Sequence, residues 1–255
     1  MSKLLFVAWR SGGGGDSQWG PVARVDNELG HYRFAYTKGA KLLKGFSPFP
    51  GMPNLGEVYE SDELLPIFQS RLLSRSRPEY RDFLAWSGFN PDSPPEPLEL
   101  LGVTEGLRAT DLLELFPCPA PDSMNCFNIK FFLHGVRHMP AETQKEIGLL
   151  RREESLGLMF DVSNWNDCHA VAIRTCPDRK RLLIGYMPRY LARDTKALFG
   201  SVSTGEIKVT VERVNPDAPM QQRLLCRMEA PWPQSYSPCK GEEFQPFVGA
   251  LPCPV

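Results

Sequence analysis

The chain has 255 residues, 42% of them hydrophobic, and a formal net charge of −1 at pH 7. This length fits one large core or two modest ones, and we expect two domains because a domain typically has about 100–150 residues. No apolar run approaches the roughly 18–20 residues of a membrane-spanning helix, and the run at residues 4–9 is shorter than a signal-peptide core of about 7–15 residues. The composition therefore argues against export and membrane insertion, and we expect a cytoplasmic protein with no membrane partner.

The charge is divided unevenly along the chain. Residues 1–122 hold 12 Lys and Arg against 16 Asp and Glu, a net of −4, whereas residues 123–235 hold 16 against 12, a net of +4. The boundary between the acidic and the basic half lies next to the proline-rich stretch of residues 117–121. It predicts an N-terminal domain at 1–122, a C-terminal domain at 123–235 and a proline-containing tail at 236–255. A basic C-terminal half is compatible with phosphate or nucleic acid, although a charge of this size is weak evidence by itself.

The seven cysteines are an odd number and show no metal-binding or redox pattern. The closest spacings, Cys118 to Cys126 and Cys168 to Cys176, are neither Cys-x-x-Cys pairs nor accompanied by a spaced histidine pair. We therefore expect reduced thiols, no zinc or other metal, and no cofactor.

Apolar alternation and turn residues predict strands and two helices in the first half. The glycine run at residues 12–15 precedes no Gly-Lys-Ser/Thr, which favours a flexible loop over a phosphate cradle. The segment DNELG at residues 26–30 predicts a hairpin turn. The predicted elements are strands at residues 4–9, 21–25, 32–36 and 112–116 and helices at residues 64–73 and 77–86. This half is expected to be an α+β domain.

Three motifs dominate the second half: FFLHGVRH at residues 131–138, SNWNDCHAVAIR at 163–174 and LLIGYMPRYL at 182–191. Each joins an apolar strand to a turn that offers polar groups. Strands are predicted at residues 129–136, 156–160, 170–175, 182–186, 207–214 and 223–228, with one helix at about residues 190–199. Many short strands with one helix are typical of a small β-barrel. The expected fold class is α+β, mostly β, with this barrel preceded by the N-terminal α+β domain.

Over roughly residues 125–232 the chain resembles a HIRAN domain. The resemblance rests on HGVRH, on the Asn-x-x-Asp-x-x-Ala-Val run at residues 164–171 and on IGYMPRYLA, which occur in the order found in the family. It implies a HIRAN-type barrel that binds nucleic acid by capturing the 3′ end of single-stranded DNA, a function associated with DNA repair. The expected partner is therefore single-stranded DNA or a DNA 3′ end.

The resemblance also implies roles for individual residues. Asp167 matches a carboxylate that accepts a hydrogen bond from the terminal 3′-hydroxyl, and Asn164 matches the family asparagine. Arg137 with His138 matches an arginine on phosphate beside an aromatic group that stacks on a base. A purely structural interpretation of Asp167 stays open, because an aspartate in a polar turn commonly bonds backbone amides in an Asx-turn.

Two positions depart from the family pattern. His138 stands where relatives often have tyrosine, and a smaller ring holds a base less firmly. Asn166 stands where some relatives have tyrosine, which leaves the neighbouring Trp165 as a candidate for base stacking.

Three further candidates follow in the third motif. Tyr186 lies on a predicted strand and fits a core position as well as a ligand contact. Arg189 and Arg193 lie one turn apart on the predicted helix, where they form either a solvated face or a pair of cations that follows the DNA backbone. The hairpin Arg179-Lys180-Arg181 is expected to add general attraction without recognition.

The N-terminal half is loosely similar to the N-terminal subdomain of HipA-type kinases. The similarity rests on GPVARVDNELGHYRFAYTKGA and on the later GFSPFPGMP, and no kinase residues follow them. It implies no activity, and an unknown protein partner for this domain stays open.

Two other functions remain as alternatives. A protein-interaction module without DNA binding would use the acidic half to hold a partner and the barrel as a scaffold. A nucleotide-processing phosphoesterase would use Asp167 with His138 or His169. Catalysis has less support, because Cys168 and His169 are consecutive at a strand start and should point to opposite faces, which prevents them from pairing as nucleophile and base. We therefore do not expect an enzyme.

Overall fold

A computed structural model of the chain describes residues 3–11, 18–108, 110–176 and 178–247. The predicted loop with the glycine run lies outside the described residues, as does the last part of the predicted tail. Among the described residues, those of 1–77, 95–120 and 238–255 form one compact unit, and those of 78–94 and 121–237 form a second.

The first unit is built on one antiparallel sheet. Its strands are β1 (Lys3–Arg10), β2 (Trp19–Glu28), β3 (His31–Tyr36), β4 (Val58–Ser61) and β5 (Leu113–Pro117), in the sheet order β4-β3-β2-β1-β5. The predicted hairpin is confirmed, since β2 and β3 pair across a turn in which Leu29 and Gly30 have φ of 53° and 94°. Positive φ at both central residues gives the turn the twist that suits a two-residue hairpin.

Short helices follow the first hairpin. They are α1 (Gly39–Leu42), α2 (Pro66–Gln69), α3 (Tyr80–Trp86) and α4 (Pro97–Thr104). The predicted helix at residues 64–73 is wrong in extent, because the chain leaves α2 at Ser70. There the Arg71 side chain, which is only 2% exposed, donates to the carbonyl of Gly106 and lies 2.6 Å from the carboxylate of Asp111.

The second unit contains one curled antiparallel sheet. Its strands are β6 (Cys126–Phe132), β7 (Ser155–Phe160), β8 (Val171–Thr175), β9 (Leu183–Tyr186), β10 (Lys208–Val214) and β11 (Leu224–Pro231), in the order β6-β11-β10-β7-β8-β9. The two ends of the sheet meet where His134 and Tyr186 exchange two backbone hydrogen bonds of 2.9 Å each. The predicted mostly-β fold with a small barrel in this half is therefore confirmed.

Besides α3, the described part of the second unit contains helices α5 (Ala141–Ile147) and α6 (Arg189–Phe199). Helix α5 was not predicted, and helix α6 begins one residue before the predicted start. The core between sheet and helices includes Phe131, Ile173, Leu191, Val211 and Cys226, all fully buried. Burial raises the pKa of the Cys226 thiol, so this cysteine is protonated and unreactive. All six described cysteines are free thiols.

The compact units differ from the predicted division in two segments. Residues 78–94 belong to the second unit, where the carbonyl of Trp86 accepts a hydrogen bond of 3.0 Å from the Asn215 side chain. The start of the predicted tail belongs to the first unit, where the ring of Phe244 lies 5.0 Å from the ring of Phe6. That residues 123–235 form an independently folding domain stays a prediction. No helix among the described residues has the length and apolar character to span a membrane.

Candidate nucleic-acid interface

The candidate site lies where three segments of the second unit meet. The first is the loop between β7 and β8, which we call the β7–β8 loop (residues 161–170). The second is the end of β9 with the start of α6, and the third is the turn after β6, where Gly135 adopts φ of 76° and starts a 3₁₀ turn at Val136–His138. A Cβ atom added at Gly135 would lie 3.5 Å from the ring of Tyr186, so the turn and β9 are in close contact.

The β7–β8 loop is held by hydrogen bonds to its own backbone. Oδ1 of Asn164 accepts the N–H groups of Asn166 at 3.0 Å and Asp167 at 3.1 Å, and Oδ1 of Asp167 accepts the N–H of His169 at 2.9 Å. The Asx-turn that the sequence left open is therefore present. Its effect is to fix the conformation of the loop before any ligand arrives.

Asp167 also faces the first residue of α6. Its Oδ2 lies 3.6 Å from Nε of Arg189, and the Asp167 side chain is 17% exposed. Arg189 additionally donates a hydrogen bond from its guanidinium to the carbonyl oxygen of Asn166. A carboxylate and a guanidinium thus lie side by side at the surface, where the carboxylate can accept a hydrogen bond from a hydroxyl and the guanidinium can donate to a phosphate oxygen.

Asp161 is a site residue that the sequence analysis missed. Its carboxylate accepts hydrogen bonds from the hydroxyl of Ser163 at 3.0 Å, from the side-chain amide of Asn164 at 3.4 Å and from the hydroxyl of Tyr186 at 3.0 Å. The bonds from Ser163 and then Tyr186 lower the pKa of Asp161, while burial followed by the bond to Asp161 raises the pKa of Tyr186. The Tyr186 hydroxyl therefore remains a donor at neutral pH, and it ties the β7–β8 loop to β9.

A sequence signal for Asp161 existed but was ambiguous. An aspartate three residues before Asn164 fits a turn-forming residue, and nothing in the local pattern identifies a tyrosine 25 positions later as its partner. Only the pairing of β8 with β9 brings the two together.

Arg137 and His138 form a separate pair in the 3₁₀ turn. Nε of Arg137 donates to Nε2 of His138 at 2.9 Å, and both side chains are exposed. Within the described part of the chain, no hydrogen bond or ion pair joins either of them to Asp167. Their connection to the rest of the site runs through the backbone bridge between His134 and Tyr186.

Trp165 and Arg193 are both turned towards solvent. Trp165, at the tip of the β7–β8 loop, is 100% exposed, and Arg193 is exposed one turn beyond Arg189 on α6. The full exposure of Trp165 leaves its ring available for contact with a ligand.

The basic hairpin beyond β8 is largely neutralised by carboxylates. Arg179 is bonded to Glu154 and lies 3.8 Å from Glu146, and Lys180 contacts Glu142 at 2.8 Å and Glu146 at 3.6 Å. These pairs reduce the general attraction for nucleic acid that the sequence predicted at this hairpin. Among the described residues no group of three or more His, Cys, Asp or Glu is arranged to hold a metal ion.

Comparison with known proteins supports the resemblance inferred from the motifs. Residues 126–232 match the model of the HIRAN domain. All eight candidate site residues lie within this range. No curated protein matches the chain. A crystal structure of a protein from Lactobacillus plantarum, a structural genomics target, is similar over 40% of this chain and 89% of its own, with 17% sequence identity and a TM-score of 0.31.

The resemblance of residues 1–122 to HipA-type kinases stays a prediction. The family match and the order of the three motifs agree on the second half, and HIRAN domains are in general nucleic-acid-binding modules. Residues 126–232 of this chain are a HIRAN domain.

Proposed function

We propose that the barrel captures the 3′ end of single-stranded DNA and that Asp167 accepts a hydrogen bond from the terminal 3′-hydroxyl. The proposal rests on one observation: the two oxygens of the Asp167 carboxylate make different contacts. Oδ1 of Asp167 holds the loop through His169, while Oδ2 faces the Arg189 guanidinium at 3.6 Å. One oxygen fixes the position of the carboxylate, and the other lies where a hydroxyl and its neighbouring phosphate would meet an acceptor and a cation.

The aromatic contacts come from residues around this pair. His138 and the fully exposed Trp165 supply rings for the last bases, and stacking of a base on an aromatic ring contributes about 1–3 kcal/mol without sequence preference. Arg137 and Arg193 supply positive charge for the backbone. The ligand of such a site is a strand end, because an acceptor-only carboxylate beside a guanidinium distinguishes a hydroxyl terminus from a charged one.

The proposed test compares two ends of the same oligonucleotide by fluorescence anisotropy. The intact chain should prefer a short single strand with a 3′-hydroxyl over the same strand with a 3′-phosphate by roughly tenfold to a hundredfold, because a hydrogen bond to a charged group contributes about 1.5–3 kcal/mol. Asp167→Ala should lose most of this preference. Asp217→Asn, an exposed aspartate after β10, is the matched control and should keep it.

Equal affinity of the intact chain for both ends would overturn end capture and favour the protein-interaction alternative, in which the acidic half holds a partner and the barrel is a scaffold. The proposal is also one of binding without catalysis. Incubation of the intact chain with labelled single-stranded DNA and divalent metal ions should leave the strand uncleaved, and metal-dependent cleavage lost in Asp167→Ala would favour the phosphoesterase alternative.

A further inference from the structure

The outer face of β7, β8 and β9 continues directly from the candidate site. Residues directly opposite one another in paired strands project to the same face of a sheet. Ala172 on β8 is opposite Met159 on β7 and Tyr186 on β9, so these three form one row. Met159 is 48% exposed and Tyr186 is half-buried, whereas Ala172 is buried as the small residue between them. The row therefore forms a shallow apolar surface with the small side chain of Ala172 at its base.

A second row lies two residues further along β8. Arg174 is opposite Gly157 on β7 and, beyond a register shift in the pairing of β8 with β9, opposite Leu183. A Cβ atom added at Gly157 would lie 3.1 Å from both Cγ and Nε of Arg174, which means that the arginine side chain lies flat across the glycine. Because a strand rises about 3.3 Å per residue, this row is about 7 Å beyond the first.

Arg174 differs in its charge partners from Arg189, Arg179 and Lys180. Arg189 lies beside Asp167, and Arg179 and Lys180 are paired with glutamates, but no carboxylate within the described ranges forms an ion pair with Arg174. Its stem is half-buried against the sheet, so its guanidinium is placed without the entropy of a freely moving side chain. A positioned, uncompensated guanidinium on an apolar surface is suited to a phosphate group.

We infer that a single strand held by its 3′ end continues 5′-ward across this outer face, with its bases over Met159 and Tyr186 and a phosphate on Arg174. This inference rests on the proposed end capture, because the two surfaces share Tyr186. Asp167 precedes β8 and Arg174 lies near its other end, so the path follows the strand. The occupant is thus the continuation of the captured strand.

Oligonucleotide length provides the test, with the intact chain and 3′-hydroxyl oligothymidylates of two and eight nucleotides. Arg174→Gln should weaken binding of the eight-nucleotide strand and reduce the slope of log affinity against log salt by about 0.7. Between 50 and 200 mM salt, the loss of affinity should therefore be about 2.6-fold smaller for the variant than for the parent. Binding of the two-nucleotide strand, and the preference for a 3′-hydroxyl over a 3′-phosphate, should not change. Arg213→Gln on β10 is the matched control, and it should leave both lengths unchanged.

A second variant tests the position of the guanidinium while keeping its charge. Gly157→Val must displace Arg174, and it should reproduce the loss with the eight-nucleotide strand. Added to Arg174→Gln, it should cause no further loss. Unchanged binding of the eight-nucleotide strand in both single variants, with 3′-end preference intact, would overturn the path across β8 and leave end capture standing. Absence of 3′-end preference in the parent chain would instead overturn end capture itself.

Discussion

Asp167 accepts the backbone N–H of His169 through Oδ1 at 2.9 Å, so one oxygen of the proposed ligand-binding carboxylate is committed to the fold of its own loop. Removing this carboxylate therefore has two separable consequences. One is the loss of the acceptor for a DNA terminus, and the other is the loss of the Asx-turn that sets the loop conformation.

We expect Asp167→Asn and Asp167→Ala to lose 3′-hydroxyl preference alike but to differ in stability. An asparagine oxygen still accepts the His169 N–H, whereas alanine leaves it without that partner, a loss comparable to that of a helix cap at about 1 kcal/mol. Amide hydrogen exchange at His169 and thermal melting measure the second effect. If Asp167→Asn kept full end preference, the charge on the carboxylate would not be the recognised feature.

The salt dependence of DNA binding should separate the arginines of the site. Each neutralised phosphate contributes about 0.7 to the slope of log affinity against log salt for a single strand. Arg137→Gln and Arg193→Gln should each reduce the slope by about that amount and leave 3′-end preference unchanged. Arg189→Gln should reduce the slope and also weaken the preference, because Arg189 lies 3.6 Å from the Asp167 carboxylate.

Lys180→Gln is the control for this series. Lys180 is paired with Glu142 and Glu146, so removing its charge should leave the slope close to that of the parent. The measurement is anisotropy titration at several salt concentrations between about 50 and 200 mM, the range over which phosphate contacts change affinity strongly. Parent-like slopes for all three arginine variants would show that these side chains do not contact the DNA.

The bond between Tyr186 and Asp161 makes the loop sensitive to acid. The hydrogen bonds from Ser163 and Tyr186 lower the pKa of Asp161 below its ordinary value of 3.8. A carboxyl group whose pKa is lower in the folded than in the unfolded state stabilises the fold fully above its unfolded pKa, and this contribution is lost as the pH falls through the folded pKa. The loop should therefore stay ordered at pH 5 and loosen below pH 3.8.

Tyr186→Phe should raise the pKa of Asp161 towards 3.8 without reaching it, because the larger contribution from Ser163 remains. Ser163→Ala should raise it further. Carboxyl NMR titration of the intact chain measures both shifts. A pKa for Asp161 that is the same in Tyr186→Phe and in the parent would mean that the tyrosine does not donate to this carboxylate in solution.

The barrel could be predicted from sequence because its strands carry their own signals. All six strands of the second unit alternate or form apolar runs, and each predicted strand overlaps an observed one. Helix α5 had no comparable signal, because only Thr143 and Ile147 of its seven residues are buried and the other five, apart from Ala141, are polar. Its apolar stripe is too short to show a helical period.

The details of the site depended on contacts that the sequence does not record. The motif order identified Asn164, Asp167 and Arg189, which the structure brings together. The sequence did not identify Asp161 or Arg174, the phosphate contact that we propose, because the positions of both depend on the pairing of β8 with its neighbours. Similarly, residues 78–94 were assigned to the first domain because they precede the proline-rich cut, while their contacts are made with Asn215 and Leu225, far along the chain.

Gly185 gives the last prediction, because the closure of the barrel depends on the space that it leaves. A Cβ atom at position 185 would lie 2.5 Å from the carbonyl oxygen of His134 and 2.7 Å from Cγ of Leu133, distances too short for real atoms. That carbonyl accepts one of the two backbone hydrogen bonds joining His134 to Tyr186. Gly185→Ala should therefore force the two ends of the sheet apart and destabilise the fold by at least the cost of overpacking, about 1–3 kcal/mol.

Gly205→Ala is the matched control for this change. A Cβ atom at Gly205 would have no heavy atom within 4 Å, so we expect its effect on stability to stay within about 0.5 kcal/mol. Denaturant unfolding measures both variants. Under conditions where it remains folded, Gly185→Ala should also bind single-stranded DNA more weakly, because Tyr186, the Gly135 turn and the tethered β7–β8 loop all take their positions from this closure. Equal unfolding midpoints for the two variants would show that the sheet ends do not meet in solution.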